Sequence, residues 1–362
     1  MKLMYLLFSF TTGGTERLVG DICNEMIRRD HEVHLYIVND LCDESMLQSL
    51  DERVHVRLQK RPVGGGDKLG TLRKIAGYIR SNGIQVVHCN SLDAPELLML
   101  KWVAFPRVRV IYTVHGLGQL KNKKKTAVLY RNWLCHRIIA ISDAVRQDII
   151  DCGIDKKKVA TVYNAIDFSR FEEPSNKAFD PKRIVIGNVA RLQPSVKGQD
   201  ILLRAVAKLK ERYTGIQCLF AGSPGRAEPE ALEQLQTLSR ELDIEENVRF
   251  LGNVEDIPRF LRGLDVFVLP SRSEGFGISL VEAMAMGIPC VACDLGGPVQ
   301  VLDGGKYGTL FKTGDSEDLA VQLAGLLENY PDHLAVVEAA WAAVRRQYAI
   351  GSMCEQLLIV YQ

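Results

Sequence analysis

A chain of 362 residues with 47% hydrophobic and 25% charged content is long enough for two ordinary domains, each with its own core. A formal net charge of +1 excludes a strongly basic nucleic-acid binder, and no nucleic-acid partner is expected. Nine cysteines, scattered without regular spacing, exclude a disulfide scaffold and fit a reducing cytoplasm, and no run reaches the roughly 18 apolar residues of a membrane helix.

The opening MKLMYLLFSF has one Lys, a short apolar run and a Gly-rich turn after it, which predicts a first strand rather than a signal peptide. Gly13 and Gly14 then open a helical pattern at TERLVGD. Strand-like runs continue as EVHLYIVN, VHVRLQ, QVVHCN, VRVIYTVH, RIIAIS and VATVYNAI, most of them separated by helical patterns such as KLGTLRKIAGYIRSN. This alternation predicts a parallel sheet covered by helices. It stops at residues 167–183, a polar stretch with two prolines that reads as a domain linker. A second series follows, with strands at RIVIGNVA, QCLFAGS, VRFLG, VFVLPS and PCVACD. The expected domains are residues 1–168 and 180–347, with a final helix, 348–362, crossing back to complete the first. Ligands of such sheets bind outside the carboxyl ends of the strands, so the two domains are expected to face a central cleft.

Charge divides unevenly, +8 for residues 1–170 and −7 for 171–362. Two basic stretches, residues 57–68 and KNKKK at 121–125 with Arg131 soon after, leave strands of the first domain. A charge run is commonly only solvated surface, but two of them suggest an anionic acceptor or membrane surface. Cys290 and Cys293 have C-x-x-C spacing, yet lie in a strand with no second Cys/His pair nearby, and buried strand cysteines are the simpler reading.

The sharpest signal is SRSEGFGISLVEA, residues 271–283, where Glu274 and Glu282 flank a Gly-Phe-Gly turn between a strand and a helix. Free backbone N–H groups and the helix dipole make such a turn a place to hold an anion. Arg191 and Lys197 follow another strand and supply cations suited to phosphate oxygens. An early-helix Glu often only complements the dipole, which would account for Glu282 but not for the whole set.

These residues resemble glycosyltransferase family 4, the retaining, nucleotide-sugar-dependent enzymes of the GT-B fold. The resemblance is carried by GNVARLQPSVKGQD, LFAGS, VRFLGNVEDIP, LDVFVLPSRSEGFGISLVEAMAMGIPCVA and DLGGPVQVL, and in the first half by GGTERLVGDI, TVHG, IIAISDAVRQDI and VYNAIDFSRF. It implies a GT-B architecture, with two Rossmann-like doubly wound domains. It implies that Arg191 and Lys197 stabilise a nucleotide diphosphate leaving group, and that Glu274 and His115 contact the donor sugar. Phe276, Gly277 and Ile278 would present main-chain N–H groups, with Gly275 and Gly277 letting the backbone approach the ligand, Glu282 would take the ribose hydroxyls, and Asn253 and Val254 would complete the nucleotide site. Gly13 and Gly14 would wall the phosphate site, although a tight strand-to-helix turn needs glycine anyway and a lone strand-end His is often structural. Ala190, Ala165 and one extra residue between Arg191 and Lys197 depart from the family pattern; the last puts the lysine's angle of approach in doubt.

The implied reaction is transfer of a hexosyl- or N-acetylhexosaminyl-type sugar from a nucleotide diphosphate donor to an acceptor hydroxyl, with retention. No covalent nucleophile is evident, and catalysis would rest on positioning and electrostatics. There is no Asp-x-Asp, so no metal and no resident cofactor are expected. A UDP-sugar is the favoured co-substrate, with a GDP-sugar as rival. The acceptor is expected to be a glycan or lipid-linked sugar of surface polysaccharide or glycolipid assembly, used in the cytoplasm at the inner face of the membrane. A small soluble acceptor is the alternative, followed by a non-catalytic partner subunit, which would be expected to have lost Arg191, Lys197 or the Glu pair. A hydride-transferring Rossmann protein would need G-x-G-x-x-G, which TTGGTERLVG does not supply.

Overall fold

Seven runs of β-branched and aromatic residues in the first half form one parallel sheet: β1 Lys2–Leu7, β2 Glu32–Asn39, β3 His55–Arg61, β4 Val86–Cys89, β5 Arg109–Val114, β6 Arg137–Ala140 and β7 Val159–Thr161. Their order is β3-β2-β1-β4-β5-β6-β7. The computed structural model describes residues 1–64, 67–91, 93, 95–99, 101–121, 125–171 and 178–362. Strands β1, β2 and β4 are buried along nearly their whole length, as a parallel sheet covered on both faces requires.

Six strands form a second parallel sheet: β8 Val185–Val189, β9 Gln217–Ala221, β10 Val248–Phe250, β11 Val266–Leu269, β12 Cys290–Cys293 and β13 Thr309–Phe311. Their order is β10-β9-β8-β11-β12-β13. Strand β13 is absent from the sequence reading because it has only three residues and follows a glycine. Cys290 and Cys293 are buried in β12 as free thiols. The chain thus forms two α/β units, Met1–Ala165 with Ile350–Gln362, and Ile166–Ala349.

The last helix, Ile350–Tyr361, belongs to the first unit and is locked there by a buried polar chain. His88 on β4 hydrogen-bonds through Nδ1 to the Tyr361 hydroxyl and through Nε2 to Thr113 Oγ1, each at 2.6 Å. The Tyr361 hydroxyl also meets that of Tyr5 on β1 at 3.2 Å, and Arg109 donates to the Tyr361 carbonyl at 2.7 Å. Burial, with a smaller contribution from His115, pushes the His88 pKa down from 6.5 to about 3, so the ring is neutral in the fold.

Tyr361→Phe leaves His88 Nδ1 without a partner and is expected to cost about 1–3 kcal/mol in denaturant unfolding. Because the folded pKa of His88 lies below its unfolded value, this stabilisation is present above about pH 6.5 and is lost as pH falls from there toward about 3. A thermal midpoint that stays flat across that window would show that the ring is not held neutral.

Candidate active site

The strand order of the second sheet reverses between β8 and β11, so the loops leaving their carboxyl ends diverge. That crevice is where a doubly wound sheet holds its ligand. Arg191 and Lys197 follow β8, and the Glu274 turn follows β11.

Lys197 ends a one-turn helix, Pro194–Lys197, closed by Gly198 in the left-handed conformation at φ 67°. A Cβ at Gly198 would stand 2.0 Å from the Pro270 carbonyl oxygen, so only glycine lets the helix end approach β11 this closely. The amides of Arg272 and Ser273 donate back to the Val196 carbonyl at 2.8 and 3.2 Å. The Arg272 guanidinium grips Asp200 with bonds of 2.6 and 2.7 Å and donates to the Pro194 carbonyl at 2.8 Å. On this mount Lys197 Nζ donates to Glu274 Oε2 at 2.8 Å, and Ser271 Oγ donates to the same oxygen at 3.4 Å. The two side chains expose 26% and 14% of their surface, so the pair is largely withdrawn from solvent.

Beyond Glu274 the chain turns through Gly275, Phe276 and Gly277 into the helix Ile278–Ala285. The Phe276 ring is buried edge-on against Tyr348, centroids 5.2 Å apart. Leu280 and Val281 donate to the Gly277 carbonyl, whereas the amides of Gly275 to Ser279 find no acceptor among the described residues. Glu282 is the fifth residue of this helix, half-buried, and lies past the first turn where dipole complementarity acts. The dipole alone therefore does not account for it.

A third component stands on the other side of β8. Leu192 donates to the Ser223 carbonyl at 3.0 Å and Gly222 to the Gly252 carbonyl at 2.7 Å, which joins the loops after β8, β9 and β10. Asn253 is exposed and Val254 half-buried at the end of this row. The exposed Arg191 side chain lies directly over Gly225 and has no ion-pair partner among the described residues. An exposed cation, a lysine–carboxylate pair and a run of amides without acceptors among the described residues thus stand on the loops around one switch point. Such a set suits a diphosphate and the sugar joined to it.

Gly297, Gly198 and Gly225 are the supports that motif reading missed. Gly297 lies in the helix Gly296–Val301, and a Cβ there would stand 2.3 Å from Phe276 Cα. The paired glycines of DLGGPVQVL were the available signal, since close backbone approach is a common reason for glycine in a helix.

Gly13, Gly14 and His115 lie in the first unit, also at strand carboxyl ends. Gly13 caps the helix Gly14–Arg28 without a side-chain bond. His115 Nε2 lies 3.3 Å from Asn90 Oδ1, and its buried Nδ1 has no partner. Burial pushes its pKa down to about 4. The ring is neutral, and with Nε2–H donating to Asn90, Nδ1 is left as an acceptor.

The basic stretches differ from their sequence reading. Arg131 is not surface charge: it is fully buried, pairs with Glu96 at 2.9 Å and lies over the Tyr112 ring. Lys121 is paired with Asp148 at 3.2 Å. Asn122, Lys123 and Lys124, Gly65 and Gly66 of the other stretch, and residues 172–177 of the linker lie outside the described residues. Glu32, His34 and His55 form the one described cluster with metal-ligand side chains, but it lies toward the amino ends of β2 and β3, and Lys2 already holds Glu32 at 3.0 Å.

Residues 12–170 match the family model Glycosyltransferase Family 4, and residues 169–341 match Glycosyl transferases group 1. The chain belongs to this glycosyltransferase family. A D-inositol 3-phosphate glycosyltransferase of Catenulispora acidiphila is 34% identical over 257 residues, 63% of this chain and 59% of the relative. The chain thus spans well under two thirds of that relative's length. The putative glycosyltransferase EpsF of Bacillus subtilis is 28% identical over 81% of this chain and 79% of its own. Among solved structures, Anabaena Alr3699/HepE in complex with UDP and glucose superposes with a TM-score of 0.86 at 23% identity, covering 99% of this chain and 98% of that one. This likeness and the two parallel sheets identify a GT-B fold.

The close approach of Gly297 to the Gly275–Phe276 backbone generates a test. Gly297→Ala in this chain is expected to cost about 1–3 kcal/mol by urea unfolding, as overpacking does. Gly325→Ala, in the helix Ser316–Glu328 with open space around it, should be neutral or gain about 0.5–1 kcal/mol. Equal effects at both positions would show that Gly297 is not a packing constraint.

Proposed function

We propose that the protein transfers a hexosyl or N-acetylhexosaminyl residue from a UDP-sugar to an acceptor hydroxyl, with retention and without a metal. The observation that carries this reading is the convergence of Arg191, the Lys197–Glu274 pair and the amides of Gly275 to Ser279 at the β8/β11 switch point. As the bond from the anomeric carbon to the donor phosphate oxygen breaks, the diphosphate gains negative charge. Lys197, held by Glu274, and the exposed Arg191 supply cations for that charge and do there what a metal does in other transferases. Glu274 accepts hydrogen bonds from the sugar's hydroxyls and Glu282 from the ribose. The acceptor hydroxyl attacks from the face the phosphate leaves, and the phosphate oxygen takes its proton. UDP is favoured as the leaving nucleotide because HepE, of the same fold, was solved with UDP and glucose.

The product belongs to surface polysaccharide or glycolipid assembly in this reading. The D-inositol 3-phosphate glycosyltransferases among the relatives favour a second reading, in which the acceptor is a small, soluble, phosphorylated molecule.

Thermal-shift titration against UDP-, GDP- and ADP-sugars identifies the donor by ligand-linked stabilisation. With that donor, Arg191→Ala and Lys197→Ala are each expected to lower kcat about 100- to 1000-fold, as loss of one donor to developing charge commonly does. Wild-type turnover in either variant would remove that residue from the leaving-group site. Activity is expected to survive excess chelator, and loss that Mn²⁺ or Mg²⁺ restores would refute the metal-free mechanism.

A further inference from the structure

Between Val33 and Val38 the residues of β2 are all buried and all hydrophobic except one, His34, which is 2% exposed. An aliphatic side chain would fill that place with no polar group to satisfy, and nothing in the proposed transfer calls for a histidine there. Its neighbours do. Glu32 lies two residues earlier on the strand, hence on the same face of the sheet, and His55 on β3 is the register partner of His34. A carboxylate and two imidazoles therefore share one patch, and their ligand atoms all lie within 4.8 Å of one another.

The spacing is close to that of a metal centre. His34 Nε2 stands 3.1 Å from Glu32 Oε1. Two ligands of a tetrahedral zinc ion, each about 2.0–2.1 Å from the metal, are about 3.3–3.4 Å from each other. The His34 and His55 rings are 4.8 Å apart between centroids, and His55 is exposed on the edge strand, so its ring can turn toward the ion. The other nitrogen of His34, Nδ1, lies 2.9 Å from the Tyr78 hydroxyl on the helix Lys68–Asn82. Histidine ligands are commonly oriented by such a partner. In the metal-free neutral ring Nε2–H donates to the carboxylate and Nδ1 accepts from Tyr78. With a metal on Nε2 the proton moves to Nδ1 and the Tyr78 oxygen accepts it, so the hydroxyl serves both states and no net proton is lost. Lys2 also holds Glu32, but the side chains of that pair are 44% and 37% exposed, and an exposed ion pair is weak enough to yield to a divalent ion.

We propose that Glu32, His34 and His55 bind one zinc ion, with solvent as the fourth ligand. Imidazoles with a single carboxylate suit zinc, whereas Mg²⁺ and Ca²⁺ call for oxygen ligands. The ion pins the edge strand β3 to β2 at the amino ends of the strands, whereas Gly13, Gly14 and His115 follow carboxyl ends. Its role is structural and it takes no part in the transfer. The site is independent of the donor reading, because zinc binding needs no sugar nucleotide.

The test is calorimetric titration of the full chain, first stripped with chelator and dialysed, with Zn²⁺ or Mg²⁺. One Zn²⁺ per chain is expected to bind and to raise the thermal midpoint, and Mg²⁺ is expected to do neither. His55→Ala, at an exposed position, should keep the metal-free midpoint of wild type and weaken zinc binding by more than the about 10- to 100-fold typical of losing an outer partner. Lys2→Ala is expected to tighten binding by up to about fivefold, because Glu32 is then uncommitted. Co²⁺, a coloured substitute, should give the visible absorption of a nitrogen–oxygen site without the near-ultraviolet band of a thiolate, which separates this cluster from the free cysteines. Wild-type protein that takes up no zinc, a His55→Ala variant that binds it as tightly, or a thiolate band with Co²⁺ would overturn the inference.

Discussion

The second unit depends on one close contact: the end of the helix Pro194–Lys197 set against the carboxyl end of β11, at a distance only Gly198 permits. Loops that leave neighbouring strands in opposite directions have no reason to meet unless something draws them together. Here the Val196 carbonyl accepts two amides from the far loop, and Arg272 clamps Asp200 and the Pro194 carbonyl. Beneath them Asn188 on β8 donates to the Val268 carbonyl on β11 at 2.9 Å, tying the two strands as well. Lys197 and Glu274 are therefore held by their backbones, and their ion pair is a result of the mount more than its cause. A site held in this way has little ordering left to do when a ligand arrives, the condition under which electrostatic stabilisation is most effective.

That arrangement gives the carboxylates and cations separate tasks in the proposed reaction. Glu274 keeps Lys197 fixed in the free protein, so the lysine needs no search for position once a diphosphate is present. Arg191 has no ion-pair partner among the described residues, and its guanidinium is open to an anionic ligand. The amides from Gly275 to Ser279 add dipoles that carry no counter-charge and need no reorganisation.

What was legible in the sequence was periodic or punctuated. Long apolar alternations gave all seven strands of the first sheet and five of the second, and glycines beside charged residues marked the strand ends. Strand β13 was hidden because three residues between glycine and a turn carry too little pattern. The helix Gly296–Val301 was hidden because Gly-Gly-Pro reads as a loop, although its role is to bring backbone against backbone. The Lys197–Glu274 pairing joins residues 77 positions apart, and motif spacing cannot report such a contact. Arg131 misled for the opposite reason. It follows a run of lysines in the sequence, but its own partner is Glu96, brought beside it only by the fold.

The central claim is that a nucleotide diphosphate sugar binds at the β8/β11 switch point, and a crystal structure of the protein with its donor tests it most directly. The account predicts diphosphate oxygens within hydrogen-bonding distance of Arg191, Lys197 and the amides of the Gly275–Ser279 turn, with the sugar against Glu274 and the ribose against Glu282. A nucleotide bound elsewhere on the chain, with Arg191 still open and the turn amides still free, would contradict it.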